Sequence, residues 1–169
     1  MSKLLQALAV AAAVGLVGFA AVSATRAQND GSAAHSLGSL TIEAPWARIG
    51  RGARAGAAYL RIVNTGAEAD RLIGASSPVA GRVELHSHKM QDGVMRMRRI
   101  DAVLVPGNKA VELQPGGDHV MLIGLTDPPE QGGTFPLTLI FQKAGGIAVP
   151  VAVRPLTARG PGMKHHDHK

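Results

Sequence analysis

The chain has 169 residues, of which 46% are hydrophobic, with no cysteine and a formal net charge of +6. The lack of cysteine excludes thiol redox chemistry, cysteine nucleophiles, thiolate metal sites and a lipid anchor on a lipobox-type cysteine. Only 3% of the residues are aromatic, too few for a stacking platform that binds nucleic acid, so we expect no nucleic-acid partner.

The first 27 residues have the order of a secretory signal: a basic start, an apolar run at 4–24, and then small residues. We expect cleavage after Ala27, with Ala24 as the alternative, and hence export to the periplasm. An uncleaved run would be just long enough to cross a bilayer of about 30 Å, which leaves a membrane anchor as an alternative. Cleavage after Ala27 removes Lys3 and Arg26, which leaves 142 residues (169 − 27) and a net charge of +4 (6 − 2), the size of one domain.

The mature chain alternates short apolar runs with segments rich in turn-forming residues. Residues 28–38 are polar, and we expect a flexible lead-in there. Nine runs then predict strands in a folded domain of residues 39–155: 40–48, 57–64, 70–76, 82–88, 94–100, 110–114, 119–125, 135–142 and 147–153. Nine such runs without a convincing helix of ten residues predict an all-β sandwich. Residues 156–169 have no periodic apolar pattern, which indicates a flexible tail.

The stretch "QDG" at 91–93 predicts a tight hairpin between two of these runs. If Asp92 and Gly93 form the loop, then Gln91 pairs with Val94, Met90 with Met95, and His88 with Met97. Side chains alternate faces along a strand, so five candidate metal donors would share one face: His86, His88, Met90, Met95 and Met97. A bulged three-residue loop would change these pairs.

A second pair of candidate donors lies on a later strand, where His119 and Met121 project from one face. Two strand ends that offer imidazole and thioether groups could converge on one ion. Thioethers select Cu(I) and imidazole accepts copper, whereas neither suits Mg²⁺ or Ca²⁺. The residue types therefore favour a site that holds Cu(I) and can also release it.

Other interpretations of these residues remain open. A methionine in a strand usually fills a core, and a single histidine is usually a hydrogen-bonded surface residue. His86, His88 and His119 could instead bind zinc, with Glu84 or Asp118 as the general base of a hydrolase, but this leaves the methionines unexplained. An electron-transfer cupredoxin would need a cysteine ligand, and the chain has none.

The spacing of four donors resembles the H-x10-M-x21-H-x-M signature of the PCu(A)C-type periplasmic copper chaperones. The matching residues are His86, Met97, His119 and Met121. The stretches "EAPWAR" (43–48) and "LQPGGDHVMLIGL" (113–125) are also similar to that family, and the resemblance covers about residues 39–153. Ser87 stands where some members carry an optional methionine.

The resemblance implies a cupredoxin-like β-sandwich that is not an enzyme and binds Cu(I) through those four residues. Members pass copper towards the binuclear copper site of cytochrome c oxidase, often with a thioredoxin-like partner. Some bind a second copper, Cu(II), on a His/Met-rich C-terminal extension, which here corresponds to Met163, His165, His166 and His168.

Three further expectations concern auxiliary residues and partners. His88, Met90 and Met95 are candidate auxiliary ligands, and the arginines near Met97 could orient an acidic partner. We expect a monomer that meets the membrane only through its partner or an uncleaved signal. A passive copper buffer or copper-tolerance protein would use the same site, and only transfer to a partner separates it from a chaperone.

Overall fold

The computed structural model describes residues 34–91 and 93–159, and this part of the chain forms eleven strands and no helix. The strands are β1 (His35–Leu37), β2 (Leu40–Ile49), β3 (Ala55–Asn64), β4 (Asp70–Ser76), β5 (Ala80–Gln91), β6 (Val94–Arg99), β7 (Val103–Val105), β8 (Lys109–Leu113), β9 (Asp118–Leu125), β10 (Thr134–Phe141) and β11 (Gly145–Arg154). The prediction of an all-β fold is confirmed. Among the described residues there is no helix long and apolar enough to cross a membrane.

All nine predicted strands are present, with ends shifted by a few residues. The two strands that the sequence did not predict, β1 and β7, have three residues each. β1 pairs antiparallel with β2, so the expectation of a flexible lead-in is wrong for His35–Leu37, where backbone pairing orders the chain. The predicted signal (1–27) and the four donors of the tail lie outside the described residues.

The strands form one hydrogen-bonded network in the order β6-β5-β9-β3-β2-β11-β10-β4-β7, with β1 beside β2 and β8 beside β3. Strands that are distant in this order bury side chains in the same core cluster, for example Leu85 of β5, Leu122 of β9, Leu72 of β4 and Leu139 of β10. The sheet must therefore fold back on itself as a sandwich around one core.

The bend in the sheet lies at β2 and β3, which change partners along their length. The register of β2 shifts between Glu43 and Trp46, and the backbone at Ala44 has a φ of 45°, the geometry of a bulge that bends a strand. Residues 55–58 of β3 pair with β9, whereas residues 60–64 pair with β8. This division places β9, β5 and β6 side by side at one end of the sandwich.

The β5–β6 hairpin (residues 80–99) extends past the core at the edge of the sheet. Leu85 and Ser87 of β5 are buried, but Lys89 to Gln91 and the whole of β6 are exposed. The predicted register is confirmed, with Gln91 opposite Val94, Met90 opposite Met95 and His88 opposite Met97. Gly93 supplies the positive φ, 75°, that a two-residue hairpin loop requires.

Candidate metal centre

The centre of the candidate site is a pair of histidines on neighbouring strands. His86 of β5 lies directly opposite His119 of β9, and their ring centroids are 5.9 Å apart. Directly paired residues project from the same face of a sheet. We call this surface of β6, β5 and β9, which carries both rings, the donor face.

The two predicted thioether ligands lie on the donor face on either side of this pair. Met121 is two residues from His119 along β9 and lies opposite Glu84. Met97 of β6 lies opposite His88, and is therefore diagonal to His86, a distance that a methionine side chain can span. The structure thus brings the four residues of the predicted ligand set to one surface.

Exposure rises across the donor face from β9 to β6. His119 has only 1% of its surface exposed, whereas Met97 has 46%. The His86 side chain lies between these values, at 14%. A partner could therefore reach the site from the Met97 side, while the His119 side is fixed by its surroundings.

One hydrogen bond fixes the tautomer of His119. Its Nδ1 lies 3.0 Å from the carbonyl oxygen of Gly117, and because a carbonyl only accepts, Nδ1 carries the proton and Nε2 keeps its lone pair. Burial lowers the pKa of His119 below its ordinary value of 6.5, the hydrogen bond to Gly117 opposes this shift, and His88 and His86 add to it. The neutral ring, which is the form that binds metal, therefore persists to lower pH than in a free histidine.

His86 is oriented by a carboxylate. Its Nε2 lies 2.8 Å from Oε2 of Glu84, whose pKa is lowered chiefly by this hydrogen bond and then by Arg82 and Arg99. Glu84 is therefore ionised and accepts, His86 Nε2 donates, and the lone pair is on Nδ1. That Nδ1 atom is buried and has no hydrogen-bond partner, a costly state for a polar atom that a metal ion would relieve.

Glu84 contacts His86 in a way that the sequence did not predict. A ligating histidine that donates its other nitrogen to a carboxylate is a common arrangement around protein-bound metals. The signal was its position two residues before His86 on the same face. The sequence alone suggests for Glu84 only the role of a general base in zinc chemistry.

His88, a candidate auxiliary ligand, covers His119. Its ring stacks on that of His119, with centroids 4.9 Å apart and an interplanar angle of 24°, and its Nδ1 is also buried without a partner. The other candidate auxiliary ligands lie further out, because Met90 and Met95 pair at the tip of the hairpin with 65% and 53% of their surface exposed. The alternative that they fill the core is therefore wrong for both.

An aromatic wall, formed by Tyr59 and Trp46, also lies beside His119. The ring of Tyr59 lies 6.3 Å from that of His119, and Trp46 lies 4.6 Å from Tyr59. The guanidinium of Arg48 lies over both aromatic rings, at 5.4 Å and 5.8 Å, in cation–π geometry. The wall limits the movement of His119, and it depends on the pairing of β3 with β9, which no local sequence signal predicted.

The zinc alternative finds little support in this arrangement. Within residues 34–91 and 93–159, no three side chains of histidine, cysteine, aspartate or glutamate are grouped so that they could hold a metal ion. Asp118 lies opposite Ser87, so it projects away from the donor face, and the carboxylate of Glu84 is engaged by His86. A metal ion held here would need thioether ligands to complete its coordination.

The chain is similar to one protein family and to proteins from two named organisms. The family described as "Putative lipoprotein LpqE-like" matches residues 40–153. The "Putative lipoprotein Lxx21020" of Leifsonia xyli subsp. xyli (strain CTCB07) is 32% identical over 165 residues, which cover 96% of this chain and 97% of that protein. The "Uncharacterized protein RP573" of Rickettsia prowazekii (strain Madrid E) is 30% identical over 102 residues, or 57% of this chain and 56% of that protein.

The fold is similar to solved copper-protein structures. The copper-bound PCuAC domain from PmoF2 has a TM-score of 0.64 and 31% identity, and the match covers 73% of this chain and 98% of that domain. The solution structure of CuI-DR1885 from Deinococcus radiodurans has a TM-score of 0.55 and 27% identity, covering 76% of this chain and 85% of that protein.

Proposed function

The chain belongs to the LpqE-like family and has the fold of PCuAC domains, and from this premise we propose that it is an exported copper carrier rather than an enzyme. It binds Cu(I) on the donor face and passes it to an acceptor such as the binuclear copper site of cytochrome c oxidase, directly or through a thioredoxin-like copper protein. The four ligands are His86, Met97, His119 and Met121.

The observation that carries this proposal is the state of the two paired rings. Each has one nitrogen engaged by the protein, His86 by Glu84 and His119 by the carbonyl of Gly117. Each therefore has one lone pair left, on rings 5.9 Å apart. Two imidazoles fixed in this way, with thioethers on both sides, provide a neutral and soft donor set that suits Cu(I).

Release of the ion is favoured by the open side of the donor face. Thioethers are neutral and are weaker donors than thiolates. Because Met97 is also exposed, a ligand from an acceptor can replace it while His119 still binds the ion. The opposite face of the hairpin carries Lys89, Arg96 and Arg98, and Lys89 lies directly opposite Arg96. Such a concentration of positive charge would steer an acidic acceptor towards the hairpin.

The proposed location is the periplasm. The secretory pattern of residues 1–27 supports export, and the Leifsonia relative is named as a lipoprotein. The 169 residues of this chain contain no cysteine, so none of them can carry the lipid of a lipoprotein. The proposed tail residues Met163, His165, His166 and His168 would act separately, as a collector of Cu(II).

Copper transfer to an apo oxidase copper-site domain tests the proposal against the passive buffer that would use the same ligands. We expect transfer by ligand exchange, because an acceptor can reach Met97 while the ion is still bound. The observed rate should therefore increase with acceptor concentration. A buffer would release copper first, so its rate would not depend on the acceptor, and that outcome would favour the buffer.

A further inference from the structure

The tip of the β5–β6 hairpin carries methionines that the four-ligand site does not use. Eight large hydrophobic side chains are exposed among the described residues, and four of them lie in this hairpin: Met90, Val94, Met95 and Met97. Their exposed fractions are 65%, 53%, 53% and 46%, so none of them contributes to the core. Three of the four are methionines, so this exposed surface offers thioether sulfur atoms as possible metal donors as well as apolar area.

The register places these sulfurs in reach of one another. Met90 lies directly opposite Met95, and His88 lies opposite Met97. Directly opposite residues have Cβ atoms about 4.5–5.5 Å apart, and Met90 and Met95 lie two residues from His88 and Met97 along their strands, a step of about 7 Å. Flexible thioether side chains can close these distances around one ion.

From this register and exposure we propose that Met90, Met95 and Met97 form a second, weaker subsite for Cu(I) or another soft monovalent ion. The inference rests on the proposed function, because Met97 belongs to both subsites. An ion at the tip could then exchange one ligand at a time towards His86 and His119 without leaving the donor face. His88, between the two subsites, would stabilise the ion during that exchange.

The surroundings of the tip explain why this subsite should be the weaker one. Its donors are exposed and free to rotate, so ordering them around an ion costs side-chain entropy, whereas His119 is held in place by its neighbours. Nearby arginines, of which Arg99 faces the same side as Met97, oppose a bound cation. A weak subsite at the tip, next to the tighter four-ligand site, would help a copper ion both to enter the four-ligand site and to leave it.

Titration of the full-length protein with Cu(I) under reducing conditions, with methionine methyl groups labelled with ¹³C, tests the subsite. The first equivalent should shift the signals of Met97 and Met121, and a later equivalent those of Met90 and Met95. The double variant Met90→Leu/Met95→Leu should bind one Cu(I) fewer than the wild type and keep the first equivalent. Val94→Leu, an exposed apolar change in the same hairpin, should bind as many ions as the wild type.

Each outcome has one meaning. If the signals of Met90 and Met95 do not move through three equivalents, or if the double variant binds as many ions as the wild type, the tip is not a metal subsite. Leucine keeps the apolar surface, so a surface that only docks a protein partner would give that result. If the signals of Met97 and Met121 fail to move with the first equivalent, it is the proposed function that is wrong.

Discussion

Replacing Glu84 by glutamine removes the negative charge from the side chain that orients His86, a proposed ligand. The Glu84 side chain is only 13% exposed, and its second oxygen lies 3.0 Å from Arg82, so it is held firmly on His86. Glutamine has nearly the same shape and can still accept a hydrogen bond from Nε2, but without charge. Hydrogen bonds to ionised acceptors are about twice as strong as neutral ones, so part of the orienting effect should remain.

The expected loss of Cu(I) affinity follows from this partial replacement. Mutation of a residue that orients a metal ligand typically costs 10- to 100-fold in metal affinity. We expect Glu84→Gln to lie near tenfold and Glu84→Ala to approach 100-fold, because alanine removes the acceptor altogether. The removal of a negative charge also leaves Arg82 and Arg99 to repel the incoming cation.

The pH dependence of this effect has a definite sign. The pKa of Glu84 is below its ordinary value of 4.5 in the folded protein, so its contribution is complete above that value and is lost only as the pH falls through the lowered pKa. The difference in affinity between wild type and Glu84→Gln should therefore persist from pH 7.5 to pH 5.5.

The measurement is Cu(I) competition against a coloured chelator, with thermal unfolding to show that each variant is folded. Glu43→Gln is the matched control, since Glu43 is another strand glutamate, paired with Arg61 instead of a histidine. Its affinity should equal that of the wild type. If Glu84→Gln binds Cu(I) as tightly as Glu43→Gln, Glu84 does not orient a ligand and the assignment of Nδ1 as the binding atom of His86 is wrong.

Four other predictions test the site and the tail. Met97→Leu and Met121→Leu should each change the free energy of unfolding by less than about 1.5 kcal/mol and lower Cu(I) affinity at least tenfold; a large loss of stability with normal binding would mean that the methionine only packs. The wild type should prefer Cu(I) to Zn²⁺ in direct competition, and equal zinc binding would contradict the copper assignment. Because the pKa of His119 is lowered on folding, the unfolded chain binds more protons than the folded chain below about pH 6.5. The melting temperature should therefore decrease as the pH is lowered below that value. His119→Gln should make the melting temperature less dependent on pH, and His35→Gln, outside the site, serves as the control. Truncation after Pro161 should remove one bound Cu(II) ion, whose affinity in the full-length protein should decrease from pH 7.5 to pH 5.5, and should leave the number of bound Cu(I) ions unchanged. An unchanged number of bound Cu(II) ions would show that the tail does not bind Cu(II).

The hairpin could be predicted from the sequence because its signals are local. An Asp-Gly pair between two alternating runs favours a two-residue loop, and that loop gives the pairs Met90–Met95 and His88–Met97. Short strands gave no such signal. β1 and β7 have three residues each, which is too short for a periodic pattern of apolar residues to be recognised.

The centre of the site could not be derived from local patterns. His86 and His119 meet because β5 pairs with β9, and that pairing depends on the strand order of the whole sandwich. The spacing of a family signature suggested that the two rings meet, but it did not show which nitrogen each presents. That depends on Glu84 and Gly117, and the packing behind His119 depends on Tyr59, which belongs to a third strand.

The alternation of β5 separates folding from metal binding. Leu85 and Ser87 point inward and are buried, while His86 and His88 point outward to the donor face, so the residues of β5 that build the core are not the proposed metal ligands. The backbone hydrogen bonds between β5 and β9 hold His86 opposite His119 and do not depend on which side chains project from the donor face. The part of the site around these two histidines is therefore rigid without being part of the core. Among the described residues of the hairpin beyond Ser87, none belongs to the core cluster, so the core does not restrain Met97 and this end of the site stays adaptable. A carrier needs both properties in one site, because a wholly rigid site would hold its ion and a wholly flexible one would not select it.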